Sequence, residues 1–218
     1  VHSNIVYSKS SHNEVGSWTK GQLHSNQAYA AMVRDMDLSI GNLLDAYDDL
    51  DLKSNTYVIL VSDNGGMPVL PQQVNRGIPY KPGLNSPLLR GKWDLMEGGI
   101  RIPFAVYGPN IPPSSQSDEP VVTHDILPTL ADLAGSVEQI GQDIEGVSLV
   151  PLLRQTNSKV DRAFESLVFH YPHYNLVGMS EPHSAIRFGD YKLVNFPVSD
   201  RQLLFNCLLY TSDAADEP

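Results

Sequence analysis

The sequence predicts an α/β fold: a mixed sheet flanked by helices, followed from about residue 160 by a small antiparallel β subdomain. Three observations predict it. Thr56–Val61 is an unbroken apolar run rich in β-branched residues. With no polar alternation, it suggests a strand covered on both faces, as in a helix-flanked sheet. Asn26 to about Leu50 places Val33, Met36, Ile40, Leu43, Leu44 and Tyr47 at three- and four-residue steps, the period of a helix with one apolar face. Beyond residue 160 the chain breaks into short β-rich runs, Leu167–Phe169, Ser184–Arg187, Tyr191–Val194 and Leu203–Phe205, with Phe188-Gly189-Asp190 as one of the turns.

The other elements follow in order. Val1–Val6 reads as the end of a buried strand, and residues 8–25, rich in Ser, His, Asn and Gly, as a loop. Residues 67–89 are proline-rich without periodicity; a long ordered loop of this kind is more often functional than accidental. Ile102–Tyr107 reads as a second buried strand, broken by Gly108-Pro109. Residues 110–120 form a Pro/Ser turn region. Thr123 or Asp125 can cap a helix with Ile126, Leu127, Leu130 and Leu133 on its face, stopped by Gly135. Pro128 falls in its first turn, where the missing N–H costs little. No internal repeat is visible. Residues 206–218 bear no relation to what precedes them and resemble a translated sequencing-adapter tail, with a natural acidic tail as the alternative, so they are left out of the fold expectation.

Composition narrows the function. The chain has 218 residues, 41% of them apolar, which suits one globular domain of ordinary size. A net charge of −10 argues against nucleic-acid binding, which needs a basic face. A sulfated or phosphorylated substrate is also repelled at long range, so binding it requires a local positive site from a metal or a few placed cations. The lone cysteine, Cys207, rules out a disulfide within the chain but not an oxidising compartment. No apolar run reaches the ~20 residues needed to cross a bilayer. The first residue is Val1 and no signal peptide precedes it; the simplest expectation is a chain that begins mid-protein, so its compartment is not legible.

Four constellations can carry chemistry. The first is Ser62-Asp63-Asn64-Gly65-Gly66, just past a buried strand. In open α/β sheets that edge is where ligands bind, and Asp63 and Asn64 offer adjacent hard oxygens suited to calcium or magnesium. The bland alternative is a tight turn, since Asn-Gly is a strong hairpin signal. The second is Leu88–Pro103, in which Lys92 sits in a glycine-flanked stretch. There it could neutralise an anionic oxygen or protonate a leaving oxygen, or be a solvated surface lysine. Glu97 and Arg101, four apart, are expected to form a structural ion pair. The third is His2, which after a strand could act as a general acid, or do nothing at all. The fourth is His170-Tyr-Pro-His173-Tyr174, which reads better as a substrate-lining loop than as a metal site; a structural role for its tyrosines is the alternative.

The order of these motifs is more specific than any one of them. It runs Val1-His2-Ser3, Tyr29–Asp37, Ser-Asp63-Asn64-Gly-Gly, Leu-Arg-Gly-Lys92-Trp, Glu97-Gly-Gly-Ile-Arg-Ile-Pro103, Asp125-Ile-Leu-Pro-Thr129 and Ala185–Lys192. In that order the chain resembles the C-terminal half of the type I, formylglycine-dependent (arylsulfatase-like) sulfatases, from residue 1 to about 205. The resemblance implies an alkaline-phosphatase-like fold. Residues 1–158 are then the later part of the catalytic domain, 159–205 a C-terminal antiparallel subdomain, and 206–218 the non-native tail. It implies that Asp63 and Asn64 are late ligands of a calcium ion and that Lys92 binds the sulfate group. His2 would stand near the leaving oxygen, although Asn4 occupies a position where the family has proline. His170 and His173 would lie in a variable loop near the substrate.

The family's Cys- or Ser-derived formylglycine motif is absent from this chain, as are its early aspartate ligands, and the resemblance places them before Val1. The implied activity is therefore hydrolysis of a small-molecule or carbohydrate sulfate ester by a calcium-activated formylglycine lying outside this chain, with the 218-residue piece itself inactive. Two rivals remain: a phosphodiesterase or phosphonate hydrolase of the same superfamily, and a non-catalytic domain that binds sulfated glycans. Family habit suggests a periplasmic, extracellular or lysosomal enzyme.

Overall fold

The computed structural model describes residues 27–66, 85, 88–141, 143–175 and 181–207. The expected strand at Val1–Val6, the loop at 8–25, His2 and most of the proline-rich loop lie outside them. The described chain forms two compact units. One contains residues up to Ala46, Val61–Pro103 and the chain from Val168 onward; the other contains Tyr47–Leu60 and Phe104–Leu167.

Helix α1 spans Gln27–Asp49, within a residue or so of the periodic stretch that predicts it. Only part of its expected face is covered: Tyr47 is buried, Val33, Ile40 and Leu44 are half-buried, and Met36 and Leu43 are exposed. Strand β1 is Val58–Val61 and β2 is Phe104–Tyr107. They form a two-stranded sheet. Neither is covered on both faces as expected. Leu60 and Val61 remain 43% and 37% exposed, and Tyr107 is 47% exposed. The reason is topological: a strand is enclosed only when the sheet extends past it and helices cover both sides, and among the described residues this sheet has only two strands.

The unit built on Tyr47–Leu60 and Phe104–Leu167 is organised around Asp125. Its carboxylate is fully buried. It accepts N–H bonds from Val122 and Val147 and a two-pronged pair from the Arg162 guanidinium, at 2.8 Å to Oδ1 and 2.5 Å to Oδ2. Asp125 closes a 3₁₀ turn, Thr123–Asp125, that leads into α3, Ile126–Leu133. Gly135 takes φ +67° just beyond, the left-handed conformation that commonly ends a helix.

Only part of the apolar face expected for α3 is covered, with Ile126 and Leu133 half-buried. Leu127 and Leu130 are 54% and 45% exposed, whereas Pro128, Thr129 and Ala131 are buried. The Thr129 hydroxyl explains the difference. It donates to the Asp125 carbonyl and accepts the Leu149 N–H, so turning Thr129 outward would orphan a buried N–H. Leu149 precedes the short helix α4, Val150–Leu153.

The unit that carries the sequence motifs ends in a four-stranded sheet in the order β3 (Ser166–Tyr171), β4 (His183–Phe188), β5 (Tyr191–Phe196) and β6 (Arg201–Asn206). Strands β4 and β5 are antiparallel with Phe188 opposite Tyr191, and β5 and β6 pair likewise with Val194 opposite Leu203. Gly189, at φ +54°, makes the β4–β5 turn, the position for which glycine is suited. Inward residues alternate: His183 and Ala185 on β4, and Lys192, Val194 and Phe196 on β5. Ala185, Val194 and Phe196 form one core with Leu95 and Met96. Burying a Met, Val or Phe of this kind stabilises by roughly 1.5–3 kcal/mol. Asn206, at the start of the expected tail, closes β6, and the Cys207 N–H bonds the Asp190 carbonyl. Residues 208–218 lie outside the described residues.

Candidate active site

Two glycine doublets bring the main candidates together. Past β1, the Ser62 hydroxyl donates to the Asn64 carbonyl and closes a tight turn. Gly65 N–H then donates to Gly99 O at 2.8 Å, and Lys92 N–H donates to Gly66 O at 3.0 Å. The Asn85 amide crosses between the segments, donating to Gly66 O at 3.0 Å and to Arg90 O at 2.7 Å. A methyl group on Gly65 would stand 1.7 Å from Gly98 O, so two main chains meet where no side chain fits. The Asp63-Asn64 turn and the Lys92 segment are therefore one hydrogen-bonded structure, although 28 positions separate Asn64 from Lys92 in the chain.

Asp63 is exposed and Asn64 half-buried. The Asn64 Nδ2 donates to Gly65 O at 2.8 Å. That bond fixes the amide's orientation and leaves Oδ1 as the remaining acceptor. A carboxylate and an oriented amide oxygen on consecutive residues are hard oxygen donors of the kind calcium takes. They do not form a cage: among the described residues no three His, Cys, Asp or Glu side chains gather where a metal could be held.

Lys92 sits in a strained turn. Arg90 and Trp93 on either side of it take φ +59° and +74°, a conformation costing of order 1–3 kcal/mol for residues other than glycine. Its ammonium lies 5.8 Å from the centre of the Trp93 ring. Such strain persists only when its surroundings over-determine it, and here they do. Asp94 Oδ1 accepts the Met96 N–H at 2.7 Å, while Oδ2 makes no hydrogen bond and lies 3.6 Å from the Arg90 guanidinium. Burial raises the Asp94 carboxyl above its usual range, against the lowering by the Met96 N–H and Arg90.

The short helix α2, Glu97–Ile100, follows. Glu97 does not pair with Arg101 as expected. The two share a helical backbone bond, and Arg101 is exposed. The Glu97 carboxylate turns the other way and accepts Lys192 Nζ at 3.0 Å. Lys192 is wholly buried; burial lowers its pKa, and the adjacent Glu97 charge opposes that. A buried carboxylate needs a charged partner more than an exposed arginine does, and so the long-range pair wins over the local one.

His170 is exposed, and its Nδ1 lies 2.8 Å from the Ser184 hydroxyl. His173 is exposed and packs edge-on against Tyr171. Both belong to the sheet and its trailing segment; among the described residues neither is hydrogen-bonded to the Asp63-Asn64 turn or the Lys92 segment. Asn175 Nδ2, in that trailing segment, donates to Trp93 O of the Lys92 turn at 3.4 Å. The sequence reading missed Asn85, His183 and Lys192. Lys192 had a signal: it shares parity with Val194 and Phe196 on β5, and so faces the core. Asn85 had none beyond its place in the loop.

The sulfatase family profile matches residues 3–136. The chain belongs to the sulfatase family. A second profile, the C-terminal region of N-sulphoglucosamine sulphohydrolase, matches residues 91–207. Steryl-sulfatase of Rattus norvegicus is 33% identical over 160 residues, covering 72% of this chain and 27% of that protein. A sulfatase of Formosa agariphila is 32% identical over 177 residues, covering 76% and 30%. This sulfatase chain thus spans less than a third of the length of these relatives.

Among solved structures, that of BT4656 in complex with its substrate D-glucosamine-2-N,6-O-disulfate aligns with a TM-score of 0.63 at 24% identity, over 82% of this chain and 33% of that one. A phosphonate monoester hydrolase from Silicibacter pomeroyi aligns with a TM-score of 0.56 at 17% identity, over 82% and 35%. At these identities the likeness is one of fold, and it agrees with the alkaline-phosphatase-like expectation.

Proposed function

We propose that the full-length protein hydrolyses sulfate esters of a small molecule or carbohydrate, and that this chain contributes one side of the anion site. The observation that carries the reading is the backbone lock between Gly65-Gly66 and the Lys92 segment. It ties the main chain that follows Asp63 and Asn64 to the main chain that carries Lys92, which supports a local anion site in a chain whose net charge of −10 repels anions at long range.

In this reading Asp63 and the Asn64 Oδ1 are two of the ligands of a calcium ion, which when bound would neutralise sulfate oxygens and polarise the nucleophile. The nucleophile, a formylglycine, lies outside this chain. Lys92 offsets the charge on the sulfate oxygens that would otherwise repel the attacking nucleophile. A preorganised donor of this kind is worth roughly 3–4 kcal/mol. His2 would protonate the departing oxygen. His170 and His173 would line the leaving-group side, where imidazoles and the neighbouring tyrosines suit a sugar or aryl ring.

The fold shared with a phosphonate monoester hydrolase makes phosphoryl chemistry the second reading. Both are tested by assaying the full-length protein with an aryl sulfate and an aryl phosphonate in calcium, beside a Lys92→Ala variant. The proposal expects sulfate turnover that falls about 10²- to 10³-fold in the variant. Preference for the phosphonate overturns it in favour of the second reading. Binding of sulfated glycans with turnover of neither ester would favour a non-catalytic domain.

A further inference from the structure

We infer that Glu97, Lys192 and His183 are positioning residues for Lys92: a buried polar clamp through which the C-terminal sheet holds the strained Arg90–Trp93 turn. The inference rests on the assignment of Lys92 to the anion site and adds to it the residues that fix its geometry. Lys92 is carried by a turn with two left-handed residues. On one side the turn is tied to the Asp63-Asn64 loop by main-chain bonds. On the other it runs straight into Leu95, Met96 and Glu97, each of which is fastened to the sheet.

The fastenings are directional. Leu95 N–H donates to His183 Nε2 at 3.2 Å, and His183 Nδ1 lies 2.9 Å from the Glu181 carbonyl. One ring nitrogen therefore accepts and the other donates, which makes the imidazole neutral with both its nitrogens engaged. Its ring is fully buried, 5.4 Å from Phe196 and 5.5 Å from Tyr171. This histidine is placed to hold a peptide N–H, not to exchange protons with a substrate. Lys192 Nζ grips the first residue of α2 at 3.0 Å, with both side chains buried.

Packing alone does not require a charge here. Leu95 and Met96 already lie in the apolar core, and a buried ion pair is often matched or surpassed in stability by apolar residues of similar volume. What the pair supplies is a fixed rotation of α2, and hence of the turn immediately before it. The sheet is thus a working part of the anion site without touching the anion.

The test compares kcat and KM of the full-length enzyme on an aryl sulfate for three variants. Lys92→Ala reports on the functional assignment. The double variant Glu97→Leu/Lys192→Met replaces the pair with apolar residues, and Glu97→Gln serves as its fallback if the double variant does not fold. The expected result for the double variant is a melting temperature close to that of the parent. Its kcat should be about 10- to 100-fold lower, with KM changed little, because Lys92 would be misplaced against the sulfate oxygens in the transition state.

A folded double variant with parental kcat, whatever its Tm, overturns the inference. If it fails to fold, Glu97→Gln is read by the same criterion. The two failures are separable. Lys92→Ala with parental kcat/KM sinks the functional assignment. Lys92→Ala inactive beside a fully active clamp variant sinks the positioning role alone.

Discussion

Gly65→Ala should break the candidate site at its centre. A Cβ at Gly65 would lie 1.7 Å from Gly98 O, 2.6 Å from Gly98 C and 2.9 Å from Gly99 Cα. All three are main-chain atoms, so no rotamer change relieves the clash. Restoring an ordinary contact of 3.4 Å requires the two segments to part by about 1.7 Å. That movement breaks the Gly65–Gly99 hydrogen bond, now 2.8 Å. Overpacking of this kind costs about 1–3 kcal/mol, and a buried N–H left unpaired adds about 1–3 kcal/mol. A total near 3 kcal/mol, in a chain of this size, lowers the melting temperature by roughly 6–12 °C.

Melting followed by circular dichroism, on the full-length protein and on the 218-residue chain, measures the shift. Activity of the full-length enzyme should fall further than stability explains, because a displacement of about 1 Å near reacting groups can cost 10²-fold in rate. A Gly65→Ala variant that melts within a degree of its parent would refute the main-chain contact on which the site is built.

Gly41→Ala is the opposite case. Gly41 lies within α1, and a methyl group there would meet nothing within 4 Å, so the substitution should stabilise by about 0.5–1 kcal/mol, read from denaturant midpoints. Asp125→Ala strands the Arg162 guanidinium and two N–H groups and should cost about 3–5 kcal/mol in the same measurement. Burial raises the Asp125 pKa, but Arg162 and the Val122 and Val147 N–H groups outweigh it and hold the carboxyl below its ordinary value. A carboxyl depressed on folding stabilises above its unfolded pKa of about 3.9. That contribution should disappear as pH falls through the folded pKa, and the acid limb of a pH–stability curve should flatten in Asp125→Ala. Calcium at about a hundred times its Kd should stabilise the full-length protein by about 2.7 kcal/mol. Asp63→Ala should weaken that response in calorimetry, and an undiminished response would remove Asp63 from the ligand set.

The elements were legible because their signals are local. The α1 period, the four short C-terminal strands and the Phe188-Gly189-Asp190 turn can all be read within a few residues. The covered faces were less so. Periodicity says which residues are apolar, not whether anything lies against them; hence Leu60, Val61, Leu127 and Leu130 are more exposed than their pattern suggested. On α3 a hydroxyl decided the matter, because Thr129 has two buried partners that no hydrophobic count registers. Glu97 illustrates the same limit for charge. Spacing offered Arg101, four residues on, while folding delivered Lys192, 95 positions away. Asp63, Asn64 and Lys92 were legible as residue types in order. Their union was not, since it depends on hydrogen bonds between main chains that carry no residue-specific mark except the absence of side chains.

That absence is itself informative. A methyl group on Gly66 would stand 2.4 Å from Asn85 Oδ1, on Gly98 2.2 Å from Arg90 O, and on Gly99 2.0 Å from Asp94 O. With Gly65, all four glycines of the two doublets are therefore points of close approach, and three of them face main-chain atoms. A site assembled from side-chain packing can absorb a changed methyl group by repacking. One assembled from backbone contacts has no such slack, because peptide geometry does not adjust. The main chains that carry Lys92 and the Asp63-Asn64 turn are thereby tied to each other. This is the kind of preorganisation that charge stabilisation in a transition state requires. The same rigidity makes the site dependent on whatever holds the far end of the Lys92 turn, which is the buried contact of Glu97 and Leu95 with Lys192 and His183 on the sheet.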